Sequence, residues 1–305
     1  MTVTDAELAR LASTRDIIQL GMAADDVRRR RHGLRTTFVR VADVAVDGEG
    51  APTWPPAAGE IRICGRPSSC AAALARVRQV AQLARGVPVS GFSLADLERL
   101  AASEATTLRA LLEDLRAAGL ELVAEAPFDQ LEDARRAVEE VNISGLSLAR
   151  LTIQKLSSAD VIPLYKAIAD LQRSVAVLRA FAPLPRAVNP ALPTTGYDDV
   201  RRVALARIVA DNVPSIQVDW STYGPKLAQV ALIVGADDVD AVSPHDEAPE
   251  GPRRAPLEEI RRNIRSAGQE PVERNGCFET LESPAALGAA SIALEGQGAD
   301  AGRTR

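Results

Sequence analysis

A chain of 305 residues with 46% apolar and 25% charged side chains is long enough for one large α/β barrel or two smaller domains, and its composition is that of a globular protein. The net charge of −5 argues against a nucleic-acid partner, and no apolar run approaches the length of a membrane span. Aromatic residues make up only 3%, so Ala, Leu, Val and Ile must build the core, and three cysteines in no paired pattern read as reduced thiols of a cytoplasmic protein.

The predicted elements alternate between short apolar runs and longer helical ones, the pattern of a parallel sheet with crossover helices. Residues 1–36 read as a helical segment, in which a helix over 16–31 carries Leu20, Ala23, Ala24 and Val27 at helical spacing and stops at Gly33. Strands are predicted over 37–46, 61–64, 87–92, 120–124, 146–153, 175–181, 215–218 and 239–242. Helices are predicted over 69–84, 107–118, 131–141, 159–173, 197–210 and 226–234. Eight strands with helices between them fit a TIM-like barrel over 37–242 better than two domains. Residues 47–59 (DGEGAPTWPPAAG) are too rich in Gly and Pro for a helix, so a loop must join the first two strands. Beyond the barrel, 243–282 are read as a Pro- and acid-rich loop and a closing helix, and 283–305 as a disordered tail.

Several features invite a sharp reading and are better explained plainly. Cys64, Cys70 and Cys277 are too scattered for an iron–sulfur triplet and read as small incidental thiols. The run Arg28–Arg31 before His32 reads as a solvated helix end opposite the helix dipole. Asp237, Asp238 and Asp240 look like a metal-binding group but come without a His pair, and a helix-end turn explains them better. The sequence holds no G-x-S-x-G turn, Walker loop or Rossmann glycine fingerprint. Glu125, Arg179, Trp220, Tyr223 and Lys226 fall at predicted strand ends, where barrel sites are built, and are the ligand-binding candidates. Arg179 is expected to point inward from the middle of the 175–181 strand, facing Glu125 or an anionic ligand, the plain alternative being an outward Arg179 that covers a neighbouring helix with its aliphatic stem. Catalytic residues are not identifiable, and no metal ligand is predicted.

The block 203–235, with DNVPSIQVDWSTYGPKLAQVAL at its centre and GADDVDA after it, resembles the C-terminal half of the radical S-adenosylmethionine enzymes of the futalosine route to menaquinone, aminofutalosine synthase above all, and of the deazaflavin synthases. Residues 256–274, ending Ala267-Gly268-Gln269-Glu270-Pro271-Val272-Glu273-Arg274, resemble that family's closing helix, and the resemblance extends from about Ile17 to Arg274. It implies a TIM-like radical SAM barrel, with S-adenosylmethionine and a 4Fe–4S cluster as cofactors. The C-x3-C-x2-C motif that holds the cluster is absent, and the loop and helix carrying it are missing between Val46 and Glu60. The family's Gly-Gly-Gly-Ala-Glu turn reads Val123-Ala124-Glu125-Ala126-Pro127 here, so Glu125 alone has a counterpart. The expectation is therefore a degenerate barrel with no bound cofactor, acting as a non-catalytic ligand-binding, regulatory or partner protein. A small-molecule ligand and an enzyme of menaquinone biosynthesis are the expected partners. The alternative is an active menaquinone enzyme using the barrel cavity, with or without an unrecognised iron–sulfur cluster.

Overall fold

A strand that is apolar on both faces is stable only if both faces are covered, and a crossover helix between parallel strands supplies one cover while the barrel interior supplies the other. The computed structural model describes residues 5–245 and 256–281, and it realises this arrangement as a closed, eight-stranded parallel barrel. The predicted tail over 283–305 and most of the loop after 243 lie outside the described residues.

Helices α1 (Asp5–Ser13) and α2 (Ile17–His32) precede the barrel. There follow β1 (Arg35–Ala45), β2 (Glu60–Cys64), α3 (Cys70–Leu83), β3 (Val89–Ser93), α4 (Leu94–Ser103), α5 (Leu108–Ala117), β4 (Leu122–Pro127), α6 (Ala134–Ile143), β5 (Ser147–Leu148), β6 (Leu151–Ile153) and α7 (Ile162–Val175). The chain continues through β7 (Ala180–Pro185), α8 (Gly196–Val209), β8 (Ser215–Asp219), α9 (Trp220–Ile233), β9 (Asp238–Val242), α10 (Pro256–Ser266) and β10 (Glu270–Arg274). β9 pairs back onto β1 and closes the ring, while β5 and β6 are successive parts of one stave, both pairing β4. Helix starts follow local chemistry. The carboxylate of Asp16 accepts from the backbone N–H of Ile18 and Gln19, and Ser69 and Thr107 cap α3 and α5 in the same way. Thr195 and Asp198 form a reciprocal capping box on α8.

The link between β1 and β2 contains no helix, as the Gly- and Pro-rich sequence requires. Instead α3 pins it: the Arg76 guanidinium donates to the carbonyls of Ala45 (2.9 Å) and Gly50 (3.4 Å), and the Gln79 amide donates to Gly50 (2.9 Å). Gly59 N–H donates to the Arg40 carbonyl at the base. β1 is long enough to pair β10 with its first half and β2 with its second, so the closing strand covers the edge that the short link leaves open.

Four expectations need correction. The predicted strand over 175–181 is mostly neither helix nor strand: α7 runs to Val175 and is capped by Ala176 in the left-handed conformation (φ 53°), 177–179 are irregular, and only Ala180 and Phe181 belong to a strand. The strand proper is β7, and its Pro183 and Pro185, which read against a strand, sit where the pairing to β6 shifts register. Residues 270–274 form β10 rather than the end of a helix. Asp238 and Asp240 lie in strand β9, with Asp237 just before it, not in a helix-end turn. The arginine run ending α2 is not uniformly solvated, because Arg28 is buried, pairing with Asp25 and donating to the Gly33 carbonyl.

Candidate functional site

In a strand, residues two apart share a face, so a charged residue set between apolar neighbours can point into the barrel. Glu60 and Arg62 on β2, Gln217 and Asp219 on β8, and Asp238 and Asp240 on β9 are such pairs, and all six are buried. The interior is therefore a layered set of ion pairs. In the deeper layer Arg274 meets Asp238 through two bonds of 2.7 Å, Gln217 donates to Asp238, and Ser90 donates to Glu60. Arg207 and His32 meet Asp237 near the opposite end of the strands. The three aspartates thus answer arginines. Among the described residues no group of three or more His, Cys, Asp or Glu side chains converges as metal ligands do.

The upper layer opens into a cavity of about 590 Å³ at the C-terminal ends of the strands, the end where barrel sites are built. Arg62, Arg150 and Arg186 reach it from β2, from the β5–β6 stave and from the residue after β7. Arg62 grips Asp240 with two bonds of 2.9 Å and also donates to Glu60. Arg150 shares the same Asp240 carboxylate at 2.5 Å. One carboxylate thus serves two guanidiniums. Burial works against the charge on Arg62, but Asp240 and Glu60 outweigh it and hold its pKa well above the ordinary value. Burial and the repulsion of Arg62 together lower the pKa of Arg150, so Arg150 is the under-compensated partner. Burial opposes ionisation of Asp240, yet Arg150 and Arg62 push its pKa far below the carboxylate range.

Arg186 lies between Asp219, at 2.5 Å, and Glu125, at 3.3 Å. Asp219 also accepts from the backbone of Thr222 and from the Ser221 hydroxyl, so one side chain caps α9 and anchors Arg186. Glu125 stands 3.9 Å from Arg150. Despite these neighbours, Nε of Arg150 and both Nε and Nη2 of Arg186 are buried without a hydrogen-bond partner among the described residues. Buried N–H groups of a guanidinium are costly to leave unpaired, and a second anion in the cavity would satisfy them.

The sequence-based candidates disperse. Glu125 lines the mouth cavity, and its arginine neighbours are Arg186 and Arg150 rather than Arg179. Arg179 is at the opposite end, exposed just before β7, where it donates to the Cys277 carbonyl and borders a smaller hollow of about 330 Å³. Trp220 lines a second cavity beside the mouth. Tyr223 donates to the Pro185 carbonyl, and burial raises its pKa. Lys226 is exposed on α9 beyond a kink at Gly224, outside both cavities. Arg62, Arg150, Arg186 and Asp219 were missed, and Asp240 was read as part of a helix-end turn. The available signal was charge at alternate positions inside short apolar strands, as in Ile61-Arg62-Ile63 and Val239-Asp240-Ala241.

The cysteines do not converge either. Cys64 ends β2 at the mouth, Cys70 begins α3, and Cys277 lies beside Glu121 beyond β10. Burial, reinforced by Asp43, raises the Cys64 thiol to about 12, and burial with nearby glutamates raises Cys70 and Cys277 to about 11. A 4Fe–4S cluster takes converging cysteine ligands, and among the described residues these three do not converge, so they do not fit one.

Residues 184–287 match the family described as the CofH/MqnC C-terminal region. Aminodeoxyfutalosine synthase of Thermus thermophilus is 26% identical over 337 aligned residues, covering 89% of this chain and 90% of that protein. The Streptomyces coelicolor aminodeoxyfutalosine synthase is 39% identical over 93 residues, or 28% of this chain and 24% of the relative. Among solved structures, methylornithine synthase (PylB) shares the fold at a TM-score of 0.64 with 13% identity, covering 95% of this chain and 97% of that one. The chain thus shares the parallel-barrel fold of methylornithine synthase, its residues 184–287 match the CofH/MqnC C-terminal region, and it is similar along most of its length to aminodeoxyfutalosine synthase.

Proposed function

We propose that this protein binds an anionic small molecule at the barrel mouth and carries no radical chemistry of its own, serving menaquinone biosynthesis in the cytoplasm as a ligand-binding, regulatory or partner protein. The observation that carries the reading is buried Arg150 and half-buried Arg186, which present buried N–H groups without a formed hydrogen bond among the described residues, at a cavity where barrel proteins bind their ligands. The helix-free link between β1 and β2 and the three cysteines, which do not converge, support the reading that no cluster is bound. A carboxylate or phosphate group on the ligand would accept from Nε and Nη2 of Arg186 and from Nε of Arg150, displacing Glu125 from its off-axis position. A second reading, cluster-free catalysis in the same cavity, is favoured by Glu125, a carboxylate that borders the cavity without a formed hydrogen bond to its neighbours.

Two measurements test the proposal. Anaerobic reconstitution with iron and sulfide should leave the protein colourless; near-stoichiometric iron together with reductive cleavage of S-adenosylmethionine would overturn the proposal. Thermal-shift titration with benzoate and with inorganic phosphate should raise the melting temperature of the wild type and not of Arg186→Met. Equal shifts in both proteins would remove the arginine site.

A further inference from the structure

Beside the arginine-lined mouth, a second cavity of about 740 Å³ opens between the β1–β2 link and the ends of β8 and β9. The chain has two tryptophans, and both line this one cavity: Trp54 from the link and Trp220 from the start of α9. Each is half-buried, packed on one side against the hydrophobic core. Neither stands on a loose frame. The link that carries Trp54 is tied to α3 through Arg76 and Gln79 and to β1 through Gly59. Trp220 is fixed by the Asp219 cap and by the kink at Gly224 (φ 75°, ψ 170°), which turns α9 after its first residues. Asp43, Ser221 and Ala241 border both cavities, so the two form one continuous groove. Asp43 is exposed there and supplies a carboxylate to the wall.

Indole faces carry negative potential and attract planar rings and the positive edges of nitrogen-bearing groups. A carboxylate on the same wall accepts from an N–H donor and repels anions. We infer that this groove is a stacking subsite for a planar aromatic ring carrying a nitrogen donor, with the ring against Trp54 and Trp220 and the donor on Asp43. Trp54 belongs to the segment that stands in place of a crossover helix, so the subsite is a property of this chain's own β1–β2 link. The ligand's anionic end then reaches Arg150 and Arg186 in the adjoining mouth; that half of the inference rests on the proposed function, and the ring subsite stands apart from it.

Because both tryptophans line the groove, intrinsic fluorescence excited at the red edge of the indole band reports on it directly. Benzamidine, a planar ring with an N–H donor group, should change the fluorescence saturably. Cyclohexanecarboxamidine, with the same donor on a puckered ring, should bind at least roughly tenfold more weakly, as should benzamidine to Trp54→Phe, Trp220→Leu or Asp43→Asn. Melting temperatures confirm that each variant is folded, and Asp43→Asn keeps the test open if a tryptophan variant is not. 4-Carboxybenzamidine, which adds an anion to the ring, should bind more tightly than benzamidine to the wild type but no more tightly to Arg186→Met. Absence of a saturable benzamidine response, or equal binding of the puckered analogue, overturns the subsite. A benzamidine response without any gain from the carboxylate overturns the arginine site alone.

Discussion

Asp240 is the side chain on which the upper layer depends, because Arg62 and Arg150 both bond to it and it is buried. A buried ion pair contributes little net stability, but removing one member strands the other. Asp240→Asn should therefore destabilise the fold by about 3–5 kcal/mol, read from urea unfolding. Glu125 behaves differently, since it is half-buried and competes with any ligand for Arg186 and Arg150. Glu125→Gln should tighten binding of benzoate, the opposite of the effect of Arg186→Met, and unchanged affinity would place Glu125 outside the site. The cysteines offer a third measurement at this scale. With their thiols raised to about 12, 11 and 11, alkylation of the native protein by iodoacetamide at pH 8 should be far slower than that of free cysteine and should climb steeply above pH 10.

At the scale of elements, α9 and the β1–β2 link shape the groove. Gly224 adopts φ 75° and ψ 170°, a region closed to residues with a Cβ, and it separates the short first part of α9 from the rest. Gly224→Ala should cost about 1–3 kcal/mol and shift tryptophan fluorescence, because Trp220 and the Tyr223 hydroxyl bonded to Pro185 would move together. A melting temperature unchanged by this substitution would show that the kink is not strained. The link was legible from its Pro and Gly residues, since neither supports a helix. What held it in place was not, because Arg76 and Gln79 sit on a helix whose facing partner cannot be named from sequence spacing.

For the whole molecule, a polar barrel interior makes stability depend on acid. The Asp240 pKa is depressed in the folded state relative to about 3.9 for an unperturbed aspartate, so its contribution is complete above that value and declines as pH falls below it. The stability gap between wild type and Asp240→Asn should be constant from neutral pH down to about 5 and shrink below about 4, measured by urea unfolding at each pH. A gap that held constant to pH 3 would mean that folding does not lower the Asp240 pKa. Apolar burial is not expected to change over this range, so the slope isolates the ion pairs.

The sequence by itself determined the alternation of strands and helices, the capped starts of α2, α3 and α5, the helix-free link and the relation to aminodeoxyfutalosine synthase, because each of these is local or carried by a contiguous motif. It placed Glu125 and Trp220 at strand ends for the same reason. It misplaced Arg179, since the apolar run over 175–181 fits a helix end and a strand equally well until the left-handed Ala176 divides them. Only the tertiary structure decided that Arg62, Arg150 and Arg186 meet Asp240, Asp219 and Glu125, and that Trp54 and Trp220 line one cavity. Those residues arrive on different strands, and barrel closure through β1 and β9 is what brings their inward faces together.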